Sequence, residues 1–197
     1  MLNRLHIPLF PLNSVLFPGG ILPLRVFEPR YMDMVSACMR EQSGFGVCLI
    51  LSGKEVGEAA TTYDVGSLAR IIDWDQREDG MLGITAQGQQ RFRILSSHVR
   101  PGQLLCAEVE LLEEPAAAAI PARFAHAVPL LRDLIDRLGG LHAEQPTSYD
   151  DVCWVSGRLA ELLPIGLPQR QYLLQLDDPI ERLERLCDMW DCMQGEE

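Results

Sequence analysis

With 197 residues, 47% of them hydrophobic, and a formal net charge of -11, the chain is long enough to bury a core and is strongly acidic. That charge repels phosphate backbones and anionic lipid, and no local run of Lys and Arg offsets it, so neither nucleic acid nor a membrane surface is an expected partner. The apolar start is cut by Pro8, Pro11, Pro18, Gly19 and Gly20 and is followed by Arg25, Glu28 and Arg30. It reads neither as a membrane span nor as a signal peptide.

Ile7 to Leu12 and Ile21 to Val26 have the composition of two strands, expected to pair or to lie side by side, with turn residues between them. Pro23 removes a ladder donor, which predicts an edge strand, a bulge or a later start. Glu28-Pro29 reads as a helix start, and Tyr31, Met34, Val35 and Cys38 form an apolar stripe at helical spacing. Strands are then predicted at Phe45 to Leu51, Val65 to Trp74, Met81 to Ala86, Arg91 to Val99 and Leu104 to Leu112. Asp79-Gly80, Gly88 and Pro101-Gly102 are read as the turns between the last four. In Arg91-Phe92-Arg93-Ile94-Leu95, alternation puts Phe92 and Ile94 on one face.

At Glu113-Glu114-Pro115 the composition changes. Ala116 to Leu138 reads as one long amphipathic helix that Gly139-Gly140 can end. A second helix is expected from Thr147 or Ser148, with Asp150 or Asp151 in its third position, burying Val152, Val155, Leu159 and Leu162. Gln169 to Leu174 is a short helix, and a last one starts at Asp178-Pro179 and buries Ile180, Leu183, Leu186, Cys187 and Trp190. These elements predict an α+β chain: a β-rich barrel-like or sandwich-like lobe with one helix over residues 1–114, then a helical bundle over residues 115–197.

Catalytic signatures are missing from the sequence. Gly53-Lys54 lacks the upstream glycine and the following Ser or Thr of a phosphate-cradling loop, and no G-x-S-x-G elbow occurs. Cys187 and Cys192 match no common zinc spacing, and His6, His98, His126 and His142 stand far apart. Asp73, Asp75, Glu78 and Asp79 crowd around Trp74 without the glycine and alternation of a calcium loop, which favours a solvated hairpin tip. Six scattered cysteines in a chain of this size read as reduced, mostly buried thiols of a cytoplasmic protein. No metal or cofactor is expected. Glu28, Arg30 and Tyr31 are the most pointed cluster: a carboxylate, a guanidinium and a phenol at a strand-to-helix corner suit a peptide backbone, but the favoured reading is that they fix that corner so that the barrel can close. Trp74 is a candidate aromatic anchor.

The runs Pro8-Leu9-Phe10-Pro11-Leu12, Val15-Leu16-Phe17-Pro18-Gly19, Leu22-Pro23-Leu24 and Phe27-Glu28-Pro29-Arg30-Tyr31 resemble the N-terminal, substrate-binding domain of the ATP-dependent protease Lon. So do Gly88-Gln89-Gln90-Arg91-Phe92, Leu162-Leu163-Pro164, Gln171-Tyr172-Leu173-Leu174-Gln175 and Glu181-Arg182-Leu183, in the same order along the chain. The resemblance implies a PUA-like pseudo-barrel followed by a helical bundle, which binds unfolded or tagged polypeptides. These 197 residues show neither the ATPase module nor the Ser-Lys protease of Lon, so the expectation is a non-catalytic peptide-binding domain, with a separate protease as a further partner. Peptide contacts are expected at Glu28, Arg30, Tyr31 and Trp74. The rival reading is an enzyme or binding protein for a small ligand, held in a cleft between the lobes.

Overall fold

The structure, a computed structural model, describes residues 4–76 and 81–194. The chain divides into two units, Met1–Glu113 and Glu114–Glu197. In the first, the described residues form strands β1 (Arg4–Leu12), β2 (Ile21–Val26), β3 (Phe45–Ser52), β4 (Thr61–Thr62), β5 (Val65–Gln76), β6 (Leu82–Val99) and β7 (Leu105–Leu111), with helix α1 (Pro29–Glu41) between β2 and β3. The α+β class read from the sequence holds. The predicted Asp79-Gly80 turn, with Glu78, lies outside the described residues.

The sheet runs β1-β7-β6-β5-β3, and a parallel β1–β3 pairing closes it on itself. β1 is antiparallel to β7 in the register Arg4↔Glu110 to Pro8↔Cys106, then parallel to β3 from Leu9↔Gly46 to Leu12↔Leu49. The expected neighbourhood of β1 and β2 is therefore wrong. β2 pairs with β6 instead, and with no other strand among the described residues, so Pro23 sits where a missing donor harms no second ladder. Closure explains the error: β1 is claimed on both sides by strands distant in sequence, and a ring has no place for its nearest neighbour along the chain.

Gly88 is also not a turn. It lies inside the 18-residue β6, which runs unbroken where two strands were expected. Its backbone exchanges hydrogen bonds with the loop after β1, Gly19 N–H to Gly88 O at 2.7 Å and Gly88 N–H to Gly20 O at 2.9 Å. A Cβ there would collide with the carbonyl of Phe17, so the glycine marks a close approach of two backbones.

One face of the sheet packs on α1. Tyr31, Met34, Val35 and Cys38, at helical spacing, are buried against Phe10, Phe45, Val47 and Ile84. Tyr31 stacks on Phe10 with ring centroids 4.0 Å apart. Because strand side chains alternate, the neighbouring Leu9 and Cys48 face the other way, onto Phe92 and Val109. Arg91, on the face of β6 opposite Phe92, is fully buried.

The second unit is helical: a 3-10 turn (Ala122–Phe124), α2 (Ala127–Leu138), α3 (Gly140–Ala143), α4 (Val152–Leu162), α5 (Leu167–Gln175) and α6 (Pro179–Gln194). The single long helix expected from Ala116 does not form, and α2 begins eleven residues later. Ala116 to Ala118 belong to no helix or strand, Ala119 bridges Asp151, and Val152 N–H donates to Ala118 O at 2.8 Å. Pro121, which cannot continue a helix, completes the break. The cap of α4 differs too: Asp151 is the N-cap and accepts from Cys153 N–H at 3.0 Å, because its carboxylate also receives Ala118 N–H. Gly139, at φ 59°, ends α2 as expected. α4 packs against α2, α5 and α6 and buries Val152, Val155, Leu159 and Ala160 among Leu131, Leu173 and Leu183.

Candidate functional site

Three of the four expected contact residues meet at the start of α1. Glu28 is the N-cap and Pro29 the first helical residue, as read from the sequence, yet the Glu28 carboxylate does not cap the helix. It pairs with Arg30 at 3.0 Å and accepts Gly57 N–H at 3.4 Å. Arg30 is buried. It donates to Gln103 O at 2.8 Å and to Glu55 O at 3.4 Å, and its guanidinium lies 4.5 Å from the Tyr31 ring centre. Glu55 in turn accepts Asn13 N–H at 2.6 Å. One side chain thus holds the β3–β4 loop and the β6–β7 turn against the first turn of α1. Burial pushes the Tyr31 phenol above its ordinary pKa despite Arg30 beside it. Glu28 and Tyr31 reach a cleft of about 160 Å³ beside the exposed Phe27 and Val56.

Trp74 is elsewhere, on β5, and is 54% exposed. With Met39, Gln42, Arg70 and Ile72 it lines a groove of about 320 Å³ at the C-terminal end of α1. Asp73 accepts Trp74 N–H at 2.9 Å. The described part of the acidic loop is therefore strand, and among the described residues no group of three or more His, Cys, Asp or Glu could hold a metal ion.

A groove of the first unit, about 630 Å³, was not anticipated. It exists because β3 starts late. Pairing of β1 with β3 begins at Leu9, so Arg4 to Pro8 are paired with β7 alone. Pro8 has no N–H, so the β7 ladder uses Leu5, Ile7 and Leu9. The N–H and C=O of Arg4 and His6 accordingly point to the other edge, which has no strand beside it among the described residues, while the carbonyl of Pro8 faces Gly46 at the start of the β3 ladder. Across the gap runs α1. Asp33, Ala37 and Glu41, four residues apart, form one wall; Leu5, His6, Ile7 and Pro8 form the other, with Leu68, Arg100 and Leu104. Sequence signals existed: a polar row beside the apolar stripe of the helix, and a proline inside a strand.

Burial raises the Cys38, Cys48, Cys106, Cys153 and Cys187 thiols above their ordinary pKa, while Cys192 is exposed. Cys38, Cys48, Cys106, Cys153, Cys187 and Cys192 are free, and burial pushes Cys48 up to about 12. Unfolding releases that thiol to ionise near 9, so above pH 9 the unfolded state binds fewer protons and stability falls, levelling off above 12. Urea unfolding between pH 8 and pH 11 is expected to show this decline, with Cys48→Ala flattening it and Cys192→Ser leaving it unchanged.

A closed, mostly antiparallel sheet crossed by one helix, continuing into a helical unit, defines an α+β fold of the kind found in solved N-terminal domains of Lon. The Lon N-terminal domain protein of Xanthomonas campestris superposes with a TM-score of 0.79 at 39% identity, covering 93% of this chain and 98% of that one. The N-terminal domain of the Mycobacterium avium complex Lon protease shares the fold, with a TM-score of 0.63 at 19% identity. The chain belongs to the ATP-dependent protease La (LON) substrate-binding domain family, whose family model matches residues 6–191. Among curated relatives, Lon protease of Parabacteroides distasonis is 28% identical over 189 residues, 91% of this chain and 23% of that protein. Lon protease of Escherichia coli K12 is 27% identical over 204 residues, 96% of this chain and 25% of that protein. The chain spans about a quarter of the length of these relatives. No described helix is long and apolar enough to cross a membrane.

Proposed function

We propose that this chain is a non-catalytic domain that holds unfolded or tagged polypeptide in the cytoplasm, binding through residues 1–114, with residues 115–197 as a second domain. The observation that carries the reading is the 630 Å³ groove, in which an unpaired strand edge faces apolar side chains, in a member of a substrate-binding family. Trp74, beside Met39 and Ile72, adds an exposed aromatic contact. Glu28 and Tyr31 offer a lesser contact at their own cleft, and Arg30 acts by positioning α1. Clients held this way are suited to delivery to a separate protease.

The test is fluorescence anisotropy with a labelled protein kept unfolded by reduction and carboxymethylation. Saturable binding is expected, with no binding of the same protein in its native fold. Equal signals for the two forms, or none above an unrelated acidic control protein, would remove the reading.

A further inference from the structure

We infer that the groove takes its ligand as an added β-strand along the free edge of β1, and that it selects a segment carrying two cationic side chains four residues apart. This rests on the polypeptide-binding reading and specifies its site. The occupant is an extended peptide because the open groups are backbone groups. Arg4 and His6 present N–H and C=O pairs to a space lined by Leu5, Ile7, Leu68 and Leu104. An extended chain satisfies those groups and buries apolar side chains together.

Charge sets the sequence of the occupant. Asp33 and Glu41 are exposed on one face of α1, eight residues apart, which is about 12 Å at the helical rise. Asp33 has no ion-pair partner among the described residues, and Glu41 has a surface contact with Arg40 at 3.4 Å. In a strand, side chains i and i+4 share a face and stand about 13 Å apart, so two Lys or Arg at that spacing match the two carboxylates. The small Ala37 lies between them. His6 and Arg100 stand on the opposite wall, so the cations face α1, and the alternate, apolar side chains face away from it, on the side of the sheet that Ile7 and Leu9 occupy. The chain's net charge of -11 steers such a segment in.

The test uses a capped, fluorescent nonapeptide of alternating apolar residues with Lys at positions 3 and 7. It is compared with a Glu version and with versions N-methylated on alternate backbone amides. The Lys peptide is expected to bind at least tenfold more tightly than the Glu peptide at low salt, with the gap closing as salt rises. The double variant D33K/E41K, at exposed helix positions, is expected to reverse the preference. With the unmodified protein, N-methylation of one alternate set of amides is expected to weaken binding at least tenfold and of the other set to leave it unchanged. Binding is also expected to slow hydrogen exchange at the His6 amide. If the unfolded protein binds but the Lys peptide does not, or binds indifferently to N-methylation and charge reversal, strand addition is overturned and polypeptide binding stands. If the unfolded protein itself is not bound, the broader reading fails as well.

Discussion

Arg30→Ala is expected to destabilise the first unit by about 3–5 kcal/mol, the range for removing one partner of a buried ion pair. The loss has identifiable parts. Glu28, whose side chain is 17% exposed, keeps its charge and loses the guanidinium 3.0 Å away. The carbonyls of Gln103 and Glu55 lose their donor, and the Tyr31 ring loses its cation. Arg30→Lys should recover only part, because one ammonium group cannot serve Glu28, Gln103 and Glu55 in the geometry of a planar fork. The measurement is the urea midpoint of the first unit's transition, with hydrogen exchange in the β3–β4 loop as the local probe. A drop under 1 kcal/mol with unchanged loop exchange would show that the corner is held by packing alone.

The second large effect is expected from Arg182→Ala in the helical unit. Arg182 is buried on α6 and donates to Leu173 O at 3.0 Å and Leu176 O at 2.7 Å, the end of α5, and to Ser156 Oγ on α4 at 3.4 Å. It donates to carbonyls at the end of a helix, and it ties three helices through one side chain. Truncation removes three buried hydrogen bonds of a charged donor at once and is expected to cost about 3 kcal/mol or more. Arg182→Met, which refills the volume without the donors, separates packing from hydrogen bonding. If Met restores full stability, the donors contribute nothing. Thermal unfolding followed by helical circular dichroism reads both variants, with the first unit's transition expected to stay in place.

These two arginines show where sequence reading reached and where it stopped. The apolar periodicity of α1, the Pro29 start, the alternation around Phe92 and the composition change near Pro115 were legible because each is local. The closed ring was not, since the pairing of Arg4 with Glu110 leaves no trace in neighbouring residues. Gly88 was misread for the same reason: what it accommodates is the carbonyl of Phe17, seventy-one positions away. Buried cations are the hardest case. Arg91, Arg158 and Arg182 look in sequence like solvated charges, and only the fold reveals that they are buried. The pairing of Arg30 with Glu28 at the start of α1 is the structural reading of that corner. Trp74 was read both as the end of the strand from Val65 and as part of the acidic loop, and it lies on β5, which continues to Gln76. The Asp33, Ala37 and Glu41 row went unremarked because a polar helix face is ordinary until an unpaired strand is found opposite.

The ring also governs how the chain assembles. β1 finds β7 only after about a hundred further residues exist, and β6 must meet β2, β5 and β7 before any of them has a complete neighbour. Long loops must therefore be closed before their contacts repay the entropy, whereas the helices after Glu114 need only nearby partners. Refolding should be biphasic, with helical signal returning first and the aromatic environment of Phe10, Tyr31 and Phe45 returning later. On a ribosome, the amino-terminal barrel stays incomplete until its last strand emerges.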